Sequence, residues 1–582
     1  MSNESIATDP TRQHGQRSRL FVVLAVAAVC GMLFASYRIG ADRGFPDTIG
    51  TGAWGRMLFA FGSAIAQMKH GGYGYALPGP VETILTYAGL TGDAKILADL
   101  GTKFPENLRN PALIDAALDK AVRFEAPINL DQGVRGSGGD DLGLVDYTRL
   151  SFYLFGYRLR SLYFAYFMIF GISALAFICA FRSQPELLAI LVIVSAAHVF
   201  LFISSILDRH NLSSISDPRF LSVLAVIPCL HLACALLKKS SATRVDIALA
   251  LLQSIILVFT IWIRITAIWT ILALSMLAAG VLVTGLLNRR FELRRLWSLG
   301  LLLVVWLVHA VWTSIVIHPV YGEKHEIMHH GVWHAVFYQL QFHPRWLEKY
   351  GAEYDYAVLD DLPPVAAGKY LLRHPPADPY TVYLTADRRH LTVAGSENYI
   401  RKALFEFFTR DPKFVLETYA IYAPLRLFFI LGPMQISKES IYLGFQPGQL
   451  FAGPRPESMP PVWEFAGVLR SASRASVTEI AMFGVALLVL AGLLANEVAD
   501  RRLFMRGVLL VTAAFFISLL PVLPAPDIQV VSDQYFLLLT ALGGWIVLAL
   551  CLGMRGFIRL RRSGRQPGQH GRSRAAQGVN LP

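Results

Sequence analysis

Apolar runs of about twenty residues, punctuated by short clusters of charge, recur along the chain at 20–36, 161–181, 187–206, 220–237, 247–263, 266–287, 297–317, 480–495, 507–522 and 535–553. A hydrocarbon core about 30 Å thick is crossed by about twenty apolar residues in helix, so each run has the length of a span. The pattern predicts an all-α polytopic membrane protein with about ten transmembrane helices. Arg12, Arg17 and Arg19 precede the first run, and Tyr37-Arg38 follows it where a signal peptide would place small residues. A first span over 20–37 is therefore expected to remain uncleaved behind a cytoplasmic tail, 1–19.

The short connectors give the orientation. Arg182, then Lys238, Lys239 and Arg244, then Arg289, Arg290, Arg294 and Arg295 all fall on the side of the N-terminus, as positively charged cytoplasmic loops should. Spans two to seven then occupy 161–317, spans eight to ten occupy 478–554, and a basic cytoplasmic tail covers 555–582. One more apolar stretch, near 416–433, is interrupted by Pro424 and Arg426. If it crossed, Arg501, Arg502 and the basic tail would lie outside, so it is expected to be an interfacial or re-entrant helix. Two large loops, 38–160 and 318–477, are thereby placed on the external face.

Composition agrees with a lipid environment: 54% of the 582 residues are hydrophobic and 16% are charged, with a mean hydropathy of +0.46. The net charge of +12 collects beside the runs and in the tail, which points to topology and away from a nucleic-acid partner. All five cysteines lie in apolar runs, where a thiol acts as a small hydrophobe, so neither a disulfide framework nor a thiolate metal site is expected.

In the first loop, Trp54, Met57, Leu58, Phe61, Ala64 and Ile65 recur at helical spacing and predict a surface helix. The loop returns to the membrane through Gly136-Ser137-Gly138-Gly139-Asp140-Asp141, then Asp146, and ends at Phe155-Gly156. Carboxylates so close to a bilayer can hold a divalent cation, Mg or Mn, or act as a general base; equally, they can cap the helix that follows.

An acidic residue soon after the first span, a surface helix, and a return ending in Phe-Gly before the second span resemble the GT-C-fold membrane glycosyltransferases. The resemblance implies a protein of the bacterial inner membrane that uses a polyprenyl-phosphate-linked sugar, with the catalytic acid in the first external loop. Asp42 and Asp47 match that position, with Asp140 and Asp141 as secondary candidates. No adjacent Asp-Glu or spaced Asp-x-Asp pair follows the first span. The second loop, with Trp333-His334, Tyr354-Asp355, Asp360-Asp361 and Asp411-Pro412, is similar to uncharacterised membrane proteins of GT-C-like architecture, which makes Trp333 and His334 candidate substrate-binding residues.

Arginines at span ends are candidates for holding the donor phosphate, because a guanidinium binds phosphate in a bidentate fork. Arg264 interrupts the apolar stretch between spans five and six, and Arg209, Arg219 and Arg426 are similarly placed. His325-Glu326-Ile327-Met328-His329 fits H-E-x-x-H, which on a helix can bind zinc and activate water. The alternatives to a glycosyltransferase are a non-catalytic scaffold of envelope assembly, a polymerase or ligase of O-antigen type, and a zinc hydrolase.

Overall fold

The computed structural model describes residues 10–40, 52–70, 111–123, 142–203, 218–237, 242–287, 296–316, 332–343, 345–355, 357, 362–374, 393–424, 427, 477–496, 501–523 and 532–563. All regular structure among them is helical. The first group is α1 (Pro10–Gly40), α2 (Gly52–His70), α3 (Pro111–Arg123), α4 (Gly143–Phe155), α5 (Leu159–Phe181) and α6 (Pro185–Ile203). It continues with α7 (Val226–Leu237), α8 (Arg244–Ile263), α9 (Trp269–Leu287) and α10 (Leu296–Val316). Then come α11 (Val332–Tyr338), α12 (Leu362–Arg373), α13 (Val393–Arg410) and α14 (Pro412–Glu417), and finally α15 (Val477–Asn496), α16 (Arg501–Leu519) and α17 (Ser532–Ser563).

Among the described residues, seven helical stretches are long and apolar enough to cross a membrane: Arg19–Tyr37, Leu159–Phe181, Phe220–Leu237, Arg244–Ile263, Ile265–Leu287, Arg502–Leu519 and Asp533–Gly556. Shorter apolar helices at Pro185–Phe200, Gly300–Val316 and Phe483–Leu494 coincide with the third, seventh and eighth runs of the sequence. Large apolar side chains, among them Val23, Leu175, Ile255 and Leu303, stand exposed on the outer faces of these helices. In a water-soluble bundle such faces would carry polar residues; here they fit a membrane-embedded protein.

Inside the bundle, polar side chains tie helices together. Ser173 Oγ donates to Gln253 Oε1 at 2.7 Å, and Gln253 Nε2 returns a bond of 2.7 Å to the Ser173 carbonyl, joining α5 to α8. Tyr166 Oη and His198 Nε2 lie 2.8 Å apart and join α5 to α6. Bonds of this kind contribute roughly 0.6–2 kcal/mol each where no water competes. Close helix contact does the rest. A Cβ on Gly543 or Gly544 of α17 would come within 2.9 Å of Ile193 and 2.8 Å of Val508, so these glycines let α17 seat against α6 and α16.

Residues from α11 to α14 build a second core of their own, dominated by Phe337, Trp346, Tyr354, Phe407 and Phe414. Ion pairs bind its edges: Arg410 grips both Glu353 oxygens at 2.7 and 3.0 Å, and Arg373 reaches Glu406 at 3.1 Å. The stretch anticipated near 416–433 begins here, as the end of α14 and a π-helical turn, Thr418–Tyr422. Leu427 beyond it is buried in the main bundle core, whereas Arg426 lies outside the described residues.

Candidate functional site

The start of α4 makes an unusually close backbone contact. A Cβ at Gly143 would run into the carbonyl of Trp262, at the C-terminal end of α8, so only glycine allows the two helices to meet there. Three residues on, the same face of α4 carries Asp146, whose Oδ2 accepts a hydrogen bond of 2.7 Å from the Trp262 indole. Arg149, one turn further, reaches Gln67 of α2 at 3.4 Å. Gly143, Asp146, Arg149, Leu150 and Tyr153 thus follow helical spacing along one stripe. Phe155 and Gly156 end the helix: Gly156 takes φ +85° and donates its N–H to the Phe152 carbonyl at 2.8 Å.

That stripe lines a cavity of about 780 Å³ between α4, α8 and α10. Phe259 of α8 and the Leu307, Val311, Trp312 and Ile315 face of α10 form its apolar walls. Its α10 wall is half open to the outside, with Ile315 65% and Leu307 54% exposed. Its charged side chains are Asp146 and Arg149. Burial pushes the Asp146 carboxyl above its ordinary range, while the Trp262 hydrogen bond and the Arg149 charge hold the rise in check. The arrangement is an acid and a guanidinium at one part of a long apolar groove. It can receive an anionic group whose hydrocarbon lies along α10, and its carboxylate can move a proton there.

A second carboxylate marks the other flank of the same α8–α9 hairpin. Asp533, fully buried in the first turn of α17, accepts from the Trp269 indole. Between the two tryptophans sits Arg264, the break in the apolar stretch, 3% exposed and at the C-cap of α8. Its charge acts on Asp533. Arg264 is therefore a buried turn residue, and the guanidinium in the groove is that of Arg149.

Trp333 and His334 lie in the second core's module, where both backbone N–H groups donate to the Glu397 carboxylate at 2.9 Å. This is a helix-start cap on α11 provided by a residue 64 positions away, and the Trp333 ring packs 6.0 Å from Phe405. Tyr354 is buried against Trp346, and Asp355 pairs with Lys369 at 2.9 Å. Arg219 stands in a 3-10 helix, Pro218–Ala225, with its side chain outside the described residues. Asp42, Asp47, Asp140, Asp141, Arg209, His325, Glu326 and His329 also lie outside them. The expected Mg or Mn draws on Asp42 or Asp47 and on the Asp140, Asp141 and Asp146 cluster, of which Asp146 alone is among the described residues. The described neighbours of Asp146 are an indole N–H and a guanidinium, neither of which ligates a metal. Among the described residues no group of three His, Cys, Asp or Glu side chains is placed to hold one.

The sequence places Asp146 close to the bilayer but does not show what it meets, and it does not single out Arg149, Gln67 or Trp262. A signal was present for part of this: Gly143, Asp146 and Arg149 fall on one helical stripe ahead of an aromatic run. No family model, curated protein or solved structure matches the chain.

Proposed function

We propose that the protein is a glycosyltransferase of GT-C-like architecture, with ten spans, two external loops and cytoplasmic termini, that transfers a sugar from a polyprenyl-phosphate donor to an external acceptor. The observation that carries this reading is the groove. Its apolar walls suit an isoprenoid chain entering sideways from lipid, and its two charged side chains are the types that phosphate departure and proton removal require. This reading counts the three shorter apolar helices as spans beside the seven long ones.

In the proposed reaction an acceptor hydroxyl oxygen bonds to C1 of the donor sugar as the bond from C1 to the phosphate oxygen breaks. The hydroxyl proton passes to the Asp146 carboxylate, and the bonding pair leaves with the phosphate, which Arg149 holds. Attack opposite the leaving group inverts the anomeric centre. A carboxyl shifted upward by burial is a stronger base than an exposed one, and suits this role near neutral pH. The loop acids Asp42, Asp47, Asp140 and Asp141 are the competing candidates for the proton acceptor.

The test is release of polyprenyl phosphate from a panel of polyprenyl-phosphate sugars by the full-length protein in nanodiscs. Wild type is compared with Asp146→Asn, Asp42→Asn and Asp47→Asn. Loss confined to Asp146→Asn is the expected result. Loss confined to Asp42→Asn or Asp47→Asn would move the acid to the start of the first loop. No release from any donor by folded protein would remove the transferase reading in favour of a scaffold.

A further inference from the structure

The module built from α11 to α14 segregates its charge. Glu397 is turned to the start of α11, Glu406 to Arg373, Asp411 to Lys349 and Tyr350, and Glu417 to His343 and Arg345. All these acids are engaged within the module. Along α13, one turn beyond Glu397, Arg401, Phe405 and Phe408 follow i, i+4, i+7 spacing, and all three are exposed, Phe405 also touching Trp333 with one edge, with Lys402 beside them. The outward side continues past the Asp411 bend through Leu416 and Ile421, 57% and 54% exposed, with Lys413 alongside. Exposed apolar side chains therefore run along two successive helices whose exposed charges, Arg401, Lys402, Arg410 and Lys413, are all cations, while Glu417, 3.9 Å from Lys413, is half-buried. Soluble surfaces mix both signs of charge; a row of this composition is what a helix presents to the headgroup region of an anionic bilayer.

The chain's path supplies the second argument. Leu427, a few residues beyond Ile421, is buried in the core of the transmembrane bundle, so this row leads directly to the bundle's edge. A side chain next to that edge meets the lipid that surrounds it. We propose that the outward side of α13 and α14, carried by Phe405, Phe408 and Leu416 and flanked by Arg401, Lys402 and Lys413, seats the module on an anionic membrane surface.

The experiment places p-benzoyl-phenylalanine singly at positions 405, 408, 416 and 352 of the full-length protein in nanodiscs. All four positions are exposed, so folding is retained. Position 352 is the control, because Trp346 and Tyr354 of its segment pack on Phe407, on the buried side of α13. After irradiation, adducts are identified by mass spectrometry in discs of phosphatidylglycerol and of phosphatidylcholine. The expected result is lipid adducts at 405, 408 and 416 several-fold above those at 352, higher with phosphatidylglycerol, and reduced there by Lys402→Glu with Lys413→Glu. Lipid yields no higher than at 352, yields indifferent to headgroup charge, or adducts to other segments of the protein would each overturn the proposal.

Discussion

The Trp262 indole nitrogen donates a hydrogen bond of 2.7 Å to Asp146 Oδ2, fastening the end of α8 to the first turn of α4 across 116 residues of sequence. That bond favours the charged carboxylate, against burial, which disfavours it. Trp262→Phe keeps most of the packing and removes the donor, so the Asp146 carboxyl should titrate at higher pH. If ionised Asp146 is the base, the acid limb of kcat/KM against pH moves upward in Trp262→Phe. It disappears together with the activity, by roughly 10²–10⁴-fold, in Asp146→Asn. An unmoved limb would sink the base assignment.

Arg149 should act on donor binding. Arg149→Gln is expected to raise KM for a polyprenyl-phosphate sugar by about tenfold to a hundredfold, the loss of a charge-assisted contact of about 1.5–3 kcal/mol. Arg149→Lys should recover only part of it, since an ammonium lacks the planar fork. Steady-state kinetics with the donor varied check this, and a KM unchanged in both variants would remove Arg149 from the phosphate site.

Gly143→Ala tests the close approach of α4 to α8. The added methyl meets the Trp262 carbonyl, which is backbone and cannot swing aside, so one helix must move. Overpacking of this kind costs about 1–3 kcal/mol, read as a lowered thermal-unfolding midpoint in detergent. Gly553→Ala, where a Cβ meets nothing within 4 Å, should leave the midpoint unchanged or raise it, since alanine is the better helix former.

The module's stability should depend on acid through Asp411. Partial burial pushes this carboxyl up, but hydrogen bonds from Lys349, Tyr350 and the Phe414 backbone outweigh it and hold the group at about 2, below its ordinary 3.8. Because the folded value is the lower one, Asp411 contributes stability above pH about 4 that is lost as pH falls toward 2. Asp411→Asn should flatten that part of the profile, followed as hydrogen-exchange protection of α14 between pH 5 and 2.5. An equally steep loss in the variant would assign the acid sensitivity elsewhere.

Capping by Glu397 gives a separate test within the same module. Glu397→Ala leaves the two N–H groups that open α11 without their acceptor and should cost about 0.5–2 kcal/mol locally. Glu397→Gln, which keeps one acceptor oxygen, should cost less. Exchange rates of the Trp333 and His334 amides report it directly.

The helical class was legible in the sequence because hydrocarbon imposes its own length on apolar runs, and each of the seven long apolar helices overlaps one of them. The groove was not. Helical spacing within α4 puts Asp146 and Arg149 on one stripe, but which helix faces that stripe depends on a contact between residues 143 and 262 that no local pattern encodes. Arg264 shows the converse. Its position in an apolar stretch marked it as a residue needing electrostatic company, yet the companion near it is the Asp533 carboxylate of the last helix. A single arginine in an apolar run has the same signature whether it serves a ligand or a turn. A resemblance alone marks Trp333 and His334 as substrate contacts, and the backbone cap they share with Glu397 is invisible until the fold brings α13 alongside α11.

The two tryptophans that flank Arg264 anchor to acids from opposite ends of the chain, one behind the hairpin and one far ahead of it. Synthesis proceeds from the N-terminus, so Asp146 already waits when Trp262 emerges, while Trp269 must persist through 264 further residues before Asp533 arrives. The hairpin is consequently half finished while nearly half of the chain is still being made, and the last helix closes it like a keystone.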